Sequence, residues 1–368
     1  MSFIKYESSI LSYISSIRKY FGLSSSYEDN SDFSRCIQNE KPNKIFLLLI
    51  DAMGANLIEQ KLSKDAFLRK HMLYKTTTVF PTTTTAATTS IRNGKAPNEN
   101  AWLAWTQYCK QVDDIIIPFK GDSYYGDVNY GNREFFESIV PVAYTTNELN
   151  EKGIKSRILF PSFEKDGCED FDTLCNRLIK YSRSNEYNYI YAYWDKYDTY
   201  CHEHGPSNRI CDAYLAHINY EIERLCDNLA DDTMLVVVAD HGQIDVKRYY
   251  DFRNSKFEKC FLRLPAGETR SQFFYIKEEY KDEFEKMFKE EFDDDFILLS
   301  KQEVIDQKIF GERDNHELFA SFLGDYLAIA KSDLVFVNKD EEAMIKGHHA
   351  GICDDELMIP VIAYKKGC

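Results

Sequence analysis

The sequence predicts an α/β layered fold on a central, mostly parallel sheet flanked by helices, and three observations carry that expectation. Continuous apolar runs recur at 45–50, 154–160, 189–194, 234–239 and 357–364, the pattern of strands covered on both faces. Helical patterns alternate with them. Within 207–229, Leu215, Ile218, Ile222, Leu225 and Leu229 recur at three- and four-residue steps, so this helix lays one apolar stripe on the sheet. Chemically active residues gather where the runs end, in FLLLIDAMG, YIYAYWDKYDTYCHEHGP and MLVVVADHGQ. Side chains from distant segments would then converge at the carboxyl edge of parallel strands.

Taken in order, the chain opens with MSFIKYESSILSYISSIRKYFGL, in which Ile4, Ile10, Leu11, Ile14 and Ile17 fit one helical face. Polar residues interrupt this segment every few positions, so it reads as a helix packed on the body rather than a signal peptide or membrane span. Residues 27–43 are polar and turn-rich and read as a connection, with the catalytic body occupying 44–368. The stretch at about 246–335, with its charged helix EEYKDEFEKMFKEEFDDD, reads as an inserted subdomain whose charges form a solvated face.

Composition narrows the functional classes. With 45 basic and 60 acidic residues, the net charge of −15 argues against stable nucleic-acid binding or docking on anionic lipid. The ten cysteines contain no CxxC pair and read as reduced thiols of a cytoplasmic protein. At 368 residues and 44% apolar content the chain can bury a sizeable core. Oligomeric state is not fixed by any of these features.

The chemistry sits in five short segments. Asp51 closes the first apolar run, ahead of a turn through Gly54. VFPTTTTAATTSIRNG reads as a strand ending at Phe80 and Pro81, then four threonines opening a helix. A hydroxyl there meets free backbone amides and the positive end of the helix dipole, with Thr82, Thr83, Thr84 and Thr85 all open as candidates. Asp198 and His202 are four apart, which stacks them on one helical face as a metal requires; His204 competes with His202. Asp240 and His241 follow the run MLVVVA, and KGHHAG brings His348 and His349 in a turn. Six potential metal ligands and one hydroxyl nucleophile in this order suit two-metal phosphoryl transfer.

These ordered motifs resemble those of the alkaline phosphatase superfamily, and within it the type I phosphodiesterase/nucleotide pyrophosphatase family. The resemblance spans Lys44 to Tyr364, including GETRSQFFYI and LGDYLAIA. It implies an alkaline-phosphatase-like layered fold and a hydrolase that cleaves phosphodiester or pyrophosphate bonds of small nucleotide-like substrates. It also implies two divalent metal ions, zinc foremost. Matching the strand-Pro-Thr-x-Thr pattern to Pro81–Thr84 makes Thr84 the nucleophile of a phosphothreonine intermediate. Asp198, His202 and His349 would hold one ion; Asp51, Asp240 and His241 would hold the other.

The sequence departs from the family pattern in places. Asn100 and Ala101 stand where His-Gly is usual, and Trp105 falls at or near the position of a phosphoryl-binding asparagine. Asn100 and Trp105 are therefore the candidate substrate contacts, with Trp102, Trp105 and Tyr108 a possible aromatic wall. Arg92, just over two helical turns past Thr84, is expected to point elsewhere, which ranks diesters above the alternatives of phosphomonoesters or phosphonates. A catalytically silent metal-binding protein is the remaining alternative.

Overall fold

The computed structural model describes residues 4–366. Ten strands form its two larger sheets: β1 Lys44–Ile50, β2 Met72–Thr77, β3 Ser156–Leu159, β4 Tyr189–Trp194, β5 Thr233–Val238, β6 Phe261–Glu268, β7 Ser271–Ile276, β8 Phe296–Ser300, β9 Tyr326–Ala330 and β10 Met358–Lys365. Six helices matter to the argument: α1 Ile10–Tyr20, α2 Ser31–Glu40, α3 Thr84–Asn93, α4 Lys196–His204, α5 Arg209–Asn228 and α6 Lys281–Phe292.

The main sheet has the order β2-β10-β5-β1-β4-β3. Neighbours from β5 to β3 pair in parallel, whereas β10 runs antiparallel to both β5 and β2. Five strands thus point one way and β10 points against them. All residues of β1, β4 and β5 are buried, as continuous apolar runs require. The edge strands differ: β3 is shorter than its apolar run and half-buried, and β2 alternates exposed and covered residues.

That mixed topology places the site. β1, β4 and β5 are neighbours whose carboxyl ends release Asp51, the segment leading to α4, and Asp240 with His241. β2 ends at the same edge and leads to α3, while β10, running the other way, begins there just after His349. All seven candidate residues are thereby drawn to one edge of one sheet.

The amino-terminal reading needs correction. Residues 27–43 are not only a connection, because they contain α2, with the Asn30 side chain capping the amide of Phe33. Phe33 and Ile37, one turn apart, supply its buried face. Nor does α1 bury a single stripe: Ser12, Ser15, Ser16 and Arg18 are buried with its aliphatic residues. Arg18 donates to Thr145 and to Glu148, and Tyr6 Oη donates to the Ile309 carbonyl at 2.8 Å, so this segment is packed into the main body.

The second sheet, β6-β7-β9-β8, is wholly antiparallel. With α6 it encloses a separate core of Phe252, Phe257, Phe274, Phe284, Phe288 and Phe336. Val304, Phe310 and Phe319, from the same part of the sequence, pack instead into the main core. Beneath the join lies a fully buried pair: Arg270 donates to both carboxylate oxygens of Glu356 at 2.8 and 2.9 Å and to the carbonyls of Ser332 and Leu334. Among the described residues no helix is long and apolar enough to cross a membrane.

Candidate active site

Asp51, Asp240 and His241 form a fully buried inner group. His241 Nε2 lies 3.4 Å from Asp51 Oδ1 and 3.5 Å from Asp240 Oδ2. The turns that carry them are pressed together: a Cβ on Gly242 would fall 1.9 Å from the Asp355 carbonyl, and one on Gly54 would fall 2.8 Å from the Gly242 backbone. Only glycine permits that approach. Beside Asp51, Ala52 takes a left-handed φ of 59°, a strained conformation for a residue with a side chain.

Asp198, His202 and His349 form an outer, partly exposed group. Asp198 Oδ1 is 3.3 Å from His202 Nε2, one turn along α4, and 3.9 Å from His349 Nε2. The His349 ring stacks on that of His241 with centroids 3.9 Å apart, which joins the two groups. His204 is not brought in; its ring stacks against Tyr200.

The donor set fits divalent cations. His202, His241 and His349 each turn Nδ1 to a backbone carbonyl, of Gly347, Gly242 and Thr82 respectively, at 2.7 to 3.0 Å. A carbonyl only accepts, so Nδ1 carries the hydrogen in each neutral ring and the Nε2 lone pair faces its group. Asp51 Oδ1 and Asp240 Oδ2 are buried without any hydrogen-bond partner. Two buried carboxylates facing an imidazole lone pair repel one another unless a cation lies between them.

Titration behaviour agrees. Burial raises the Asp51 carboxyl well above the ordinary carboxylate range, and the charges of Asp240 and Asp198 add to the shift. Burial likewise raises Asp240. For Asp198 burial works upward too, but pairing with His202 overrides it and leaves that carboxyl below its usual value. Burial lowers His349 well below the ordinary histidine value, helped by the charges of His241 and His202.

A stability prediction follows for metal-free protein. Because the folded pKa of Asp51 lies above the unfolded value of about 3.9, the native chain binds more protons than the unfolded one. Stability therefore falls as pH rises from about 4 through the folded pKa. Asp51→Asn should flatten that fall and stabilise the metal-free protein near neutral pH by about 1–3 kcal/mol, at the expense of metal retention. Urea unfolding in the presence of chelator across this pH range measures it; equal slopes for both proteins would reject the account.

The structure separates the four threonines. β2 ends at Thr77 rather than at Phe80 and Pro81, since a loop with a cis Phe80–Pro81 bond intervenes. Thr82 Oγ1 donates to the Gly351 carbonyl and accepts from the amide of Ala350. Thr83, the residue before α3, donates to Glu268, and Thr85 is buried away. Thr84 alone faces the inner group, its Oγ1 3.3 Å from His241 Nε2 and 3.5 Å from Asp51 Oδ2. Tyr193 Oη also donates to that Asp51 oxygen.

Two clefts meet at this point. One, of about 500 Å³, is lined by Glu268, His202, His348 and His349; the other, of about 840 Å³, by Asp51, Thr88, Arg92, Tyr191 and Tyr193. Thr84, Trp105 and Asp198 line both. Trp105 is thus in the site, with Lys120 Nζ 5.4 Å from its ring centroid. Asn100 is not: it is buried, its amide oxygen caps the Trp102 amide, and its nitrogen donates to Ser90 Oγ and the Lys95 carbonyl. Those turn-closing bonds leave it nothing to offer a ligand. Trp102 is core, packed on Phe119 and Phe136, and Tyr108 packs against Tyr275. Arg92, expected to point elsewhere, lines the larger cleft because positions 84, 88 and 92 share one face of α3.

Glu268 is the residue that sequence reasoning missed. It ends β6, accepts from Thr83 Oγ1 and from the Trp105 amide at 2.6 Å, and lines the smaller cleft. Burial pushes its carboxyl up to about 7, against the lowering from Thr83 and the Trp105 amide. No local pattern marks it, since it reaches the site from a hairpin of the second sheet.

Comparisons with known proteins agree with this fold. The fold resembles murine ectonucleotide pyrophosphatase/phosphodiesterase 5, with a TM-score of 0.68 at 14% identity over 87% of this chain and 88% of that one. The human counterpart matches with a TM-score of 0.68 at 15% identity, covering 87% of both chains. An inactive threonine-to-alanine variant of the murine protein, solved in complex with AMP, matches with a TM-score of 0.67 at 13% identity, also over 87% of both. Over 102 residues the chain is 29% identical to the catalytic subunit of human GPI ethanolamine phosphate transferase 3, a match spanning 27% of this chain and 9% of that protein's length. The profile of one family, described as type I phosphodiesterase/nucleotide pyrophosphatase, matches residues 122–351, more than half of the 368. That span contains Asp198, His202, Asp240, His241 and His349, and leaves Asp51 and Thr84 to be recognised by geometry. The chain belongs to the type I phosphodiesterase/nucleotide pyrophosphatase family and is a hydrolase of that kind.

Proposed function

We propose that this enzyme cleaves phosphodiester or pyrophosphate bonds of small nucleotide-like substrates, with Thr84 as nucleophile and two divalent metal ions, zinc foremost. Asp51, Asp240 and His241 would hold the ion beside Thr84, and Asp198, His202 and His349 the other. Bound there, such ions acidify a hydroxyl and stabilise charge on the transferring phosphoryl group. The observation that carries the reading is the pair of clefts meeting at Thr84, Trp105 and Asp198. A diester has two organic arms to house and a monoester has one.

Thr84 Oγ1 attacks phosphorus, the bond to the leaving oxygen breaks, and a phosphothreonine forms; water then attacks the same phosphorus and restores the hydroxyl. Thr84 is the first residue of α3, where unpaired amides and the helix dipole favour the incoming negative charge. Trp105 offers an aromatic face to a substrate ring in either cleft. The AMP-bound murine variant, inactive without its threonine, supports both a nucleotide-like substrate and a threonine nucleophile.

The test is hydrolysis of bis(p-nitrophenyl) phosphate and p-nitrophenyl phosphate by zinc-loaded protein. We expect kcat/KM to favour the diester by at least about ten-fold, with loss of activity on chelation and recovery on adding zinc. Monoester preference would replace the diesterase reading by a phosphatase, and no turnover of either by a binding role.

A further inference from the structure

We infer that the larger cleft contains a second anion subsite, built on Arg92 and Tyr191, which selects phosphodiesters whose organic arm carries an additional phosphate group. This inference rests on the diesterase reading and adds a substrate class to it. Arg92 is 8% exposed, yet its guanidinium makes no hydrogen bond or ion pair with any described residue. Its Cζ lies 3.9 Å from the Tyr144 ring centroid, 5.5 Å from that of Tyr191 and 5.6 Å from that of Phe160. Ring faces attract a cation but leave its in-plane N–H donors without acceptors. Tyr191 is 1% exposed and its hydroxyl is also without a partner. The Tyr191 hydroxyl is thus a buried donor without an acceptor, costly to leave unmet, and the Arg92 guanidinium beside it keeps its free N–H groups open to the same cleft, where an anion would receive hydrogens from both.

The surrounding charges fit an anion on that wall. Lys120 and Arg133 line the same cleft, and Arg133 is held by Glu137 at 2.7 Å. Of the carboxylates there, Asp51 and Asp198 belong to the two candidate metal groups, Glu134 and Glu164 are exposed, and Asp122 accepts from the Asn129 amide. Asp195 Oδ1 is a buried acceptor without a donor, suited to a substrate hydroxyl. Thr84 and Arg92 are eight residues apart on one helix, about 12 Å along its axis. Arginine side chains lean back toward the helix amino terminus, which shortens the gap. A nucleoside phosphorylated at both its 5′ and 3′ positions spans such a separation, with its 5′ phosphorus at Thr84.

Binding and turnover separate the outcomes. Titration calorimetry of zinc-loaded protein should show deoxythymidine 3′,5′-bisphosphate binding at least about ten-fold tighter than thymidine 5′-monophosphate. Arg92→Gln should bring the two within about two-fold, and Arg92→Lys should restore part of the difference. If Arg92→Gln does not fold, Tyr191→Phe removes one donor and should reduce the preference about three-fold. The p-nitrophenyl esters of the same two nucleotides should show a matching difference in KM. Equal affinities in the wild type, or a preference that survives Arg92→Gln, would overturn the subsite. Preferential binding without hydrolysis of either ester would instead overturn the diesterase reading and leave the subsite standing.

Discussion

Thr84→Ala is expected to lower kcat on bis(p-nitrophenyl) phosphate by at least about 1,000-fold, the scale on which removing a nucleophile acts. Stability and metal content should change little. The Thr84 hydroxyl makes only long contacts, at 3.3 and 3.5 Å, so its loss leaves a surface of the cleft rather than a core cavity. The inner group keeps both unpartnered carboxylate oxygens and the His241 lone pair. Thr84→Ser should retain measurable turnover, because the attacking oxygen survives. Thr82→Ala should act differently, lowering stability through the lost bonds to Ala350 and Gly351. Rapid-quench detection of a phosphorylated protein, with elemental analysis of each variant, reads these effects separately. Turnover unchanged in Thr84→Ala would remove the residue from the reaction.

The second large effect is on stability. Arg270→Ala or Glu356→Ala should each cost about 3–5 kcal/mol, since either leaves one charge buried and unpaired. Both side chains are fully covered. Glu356 also accepts from the amides of Gly351 and Cys353, so the pair fixes the turn that follows His349. Each single variant should therefore lose affinity at the Asp198, His202 and His349 group as well. A double replacement by apolar residues of similar volume should recover much of the stability, because no orphan charge remains. Urea unfolding with zinc titrations measures both quantities; single variants within about 1 kcal/mol of wild type would contradict the assignment.

The legible parts of the fold were those with one environment along their length. β1, β4 and β5 are buried from end to end and read directly as apolar runs. α5 wrote its packing stripe in Leu215, Ile218, Ile222 and Leu225, all buried. β2 was misplaced, being read as running to Phe80 and Pro81, because an edge strand alternates and the half-exposed MLYKTT carries only a weak apolar pattern. The direction of β10 left no mark in composition, since a strand reads alike either way along the sheet. The metal-ligand candidates were visible because carboxylates and histidines after buried strands form a rare ordered set. Glu268 and Arg92 were not, because each depends on tertiary placement: one on a hairpin of the second sheet, the other on helix phase. Asn100 failed as a ligand for a local reason, its polar atoms being consumed by its own turn.

The reversed strand β10 has a consequence for how the enzyme is made. It lies between β2 and β5 yet follows both of them in the chain. Until it emerges from the ribosome, β2 has no neighbour in the sheet and β5, apolar from Met234 to Val238, presents an open edge of the kind that promotes aggregation. The inner trio of Asp51, Asp240 and His241 is complete before then, whereas His349 lies on the segment that leads into β10. The order of translation thus separates the two groups in time, and a chain interrupted between His241 and β10 would carry half a centre and an unguarded sheet.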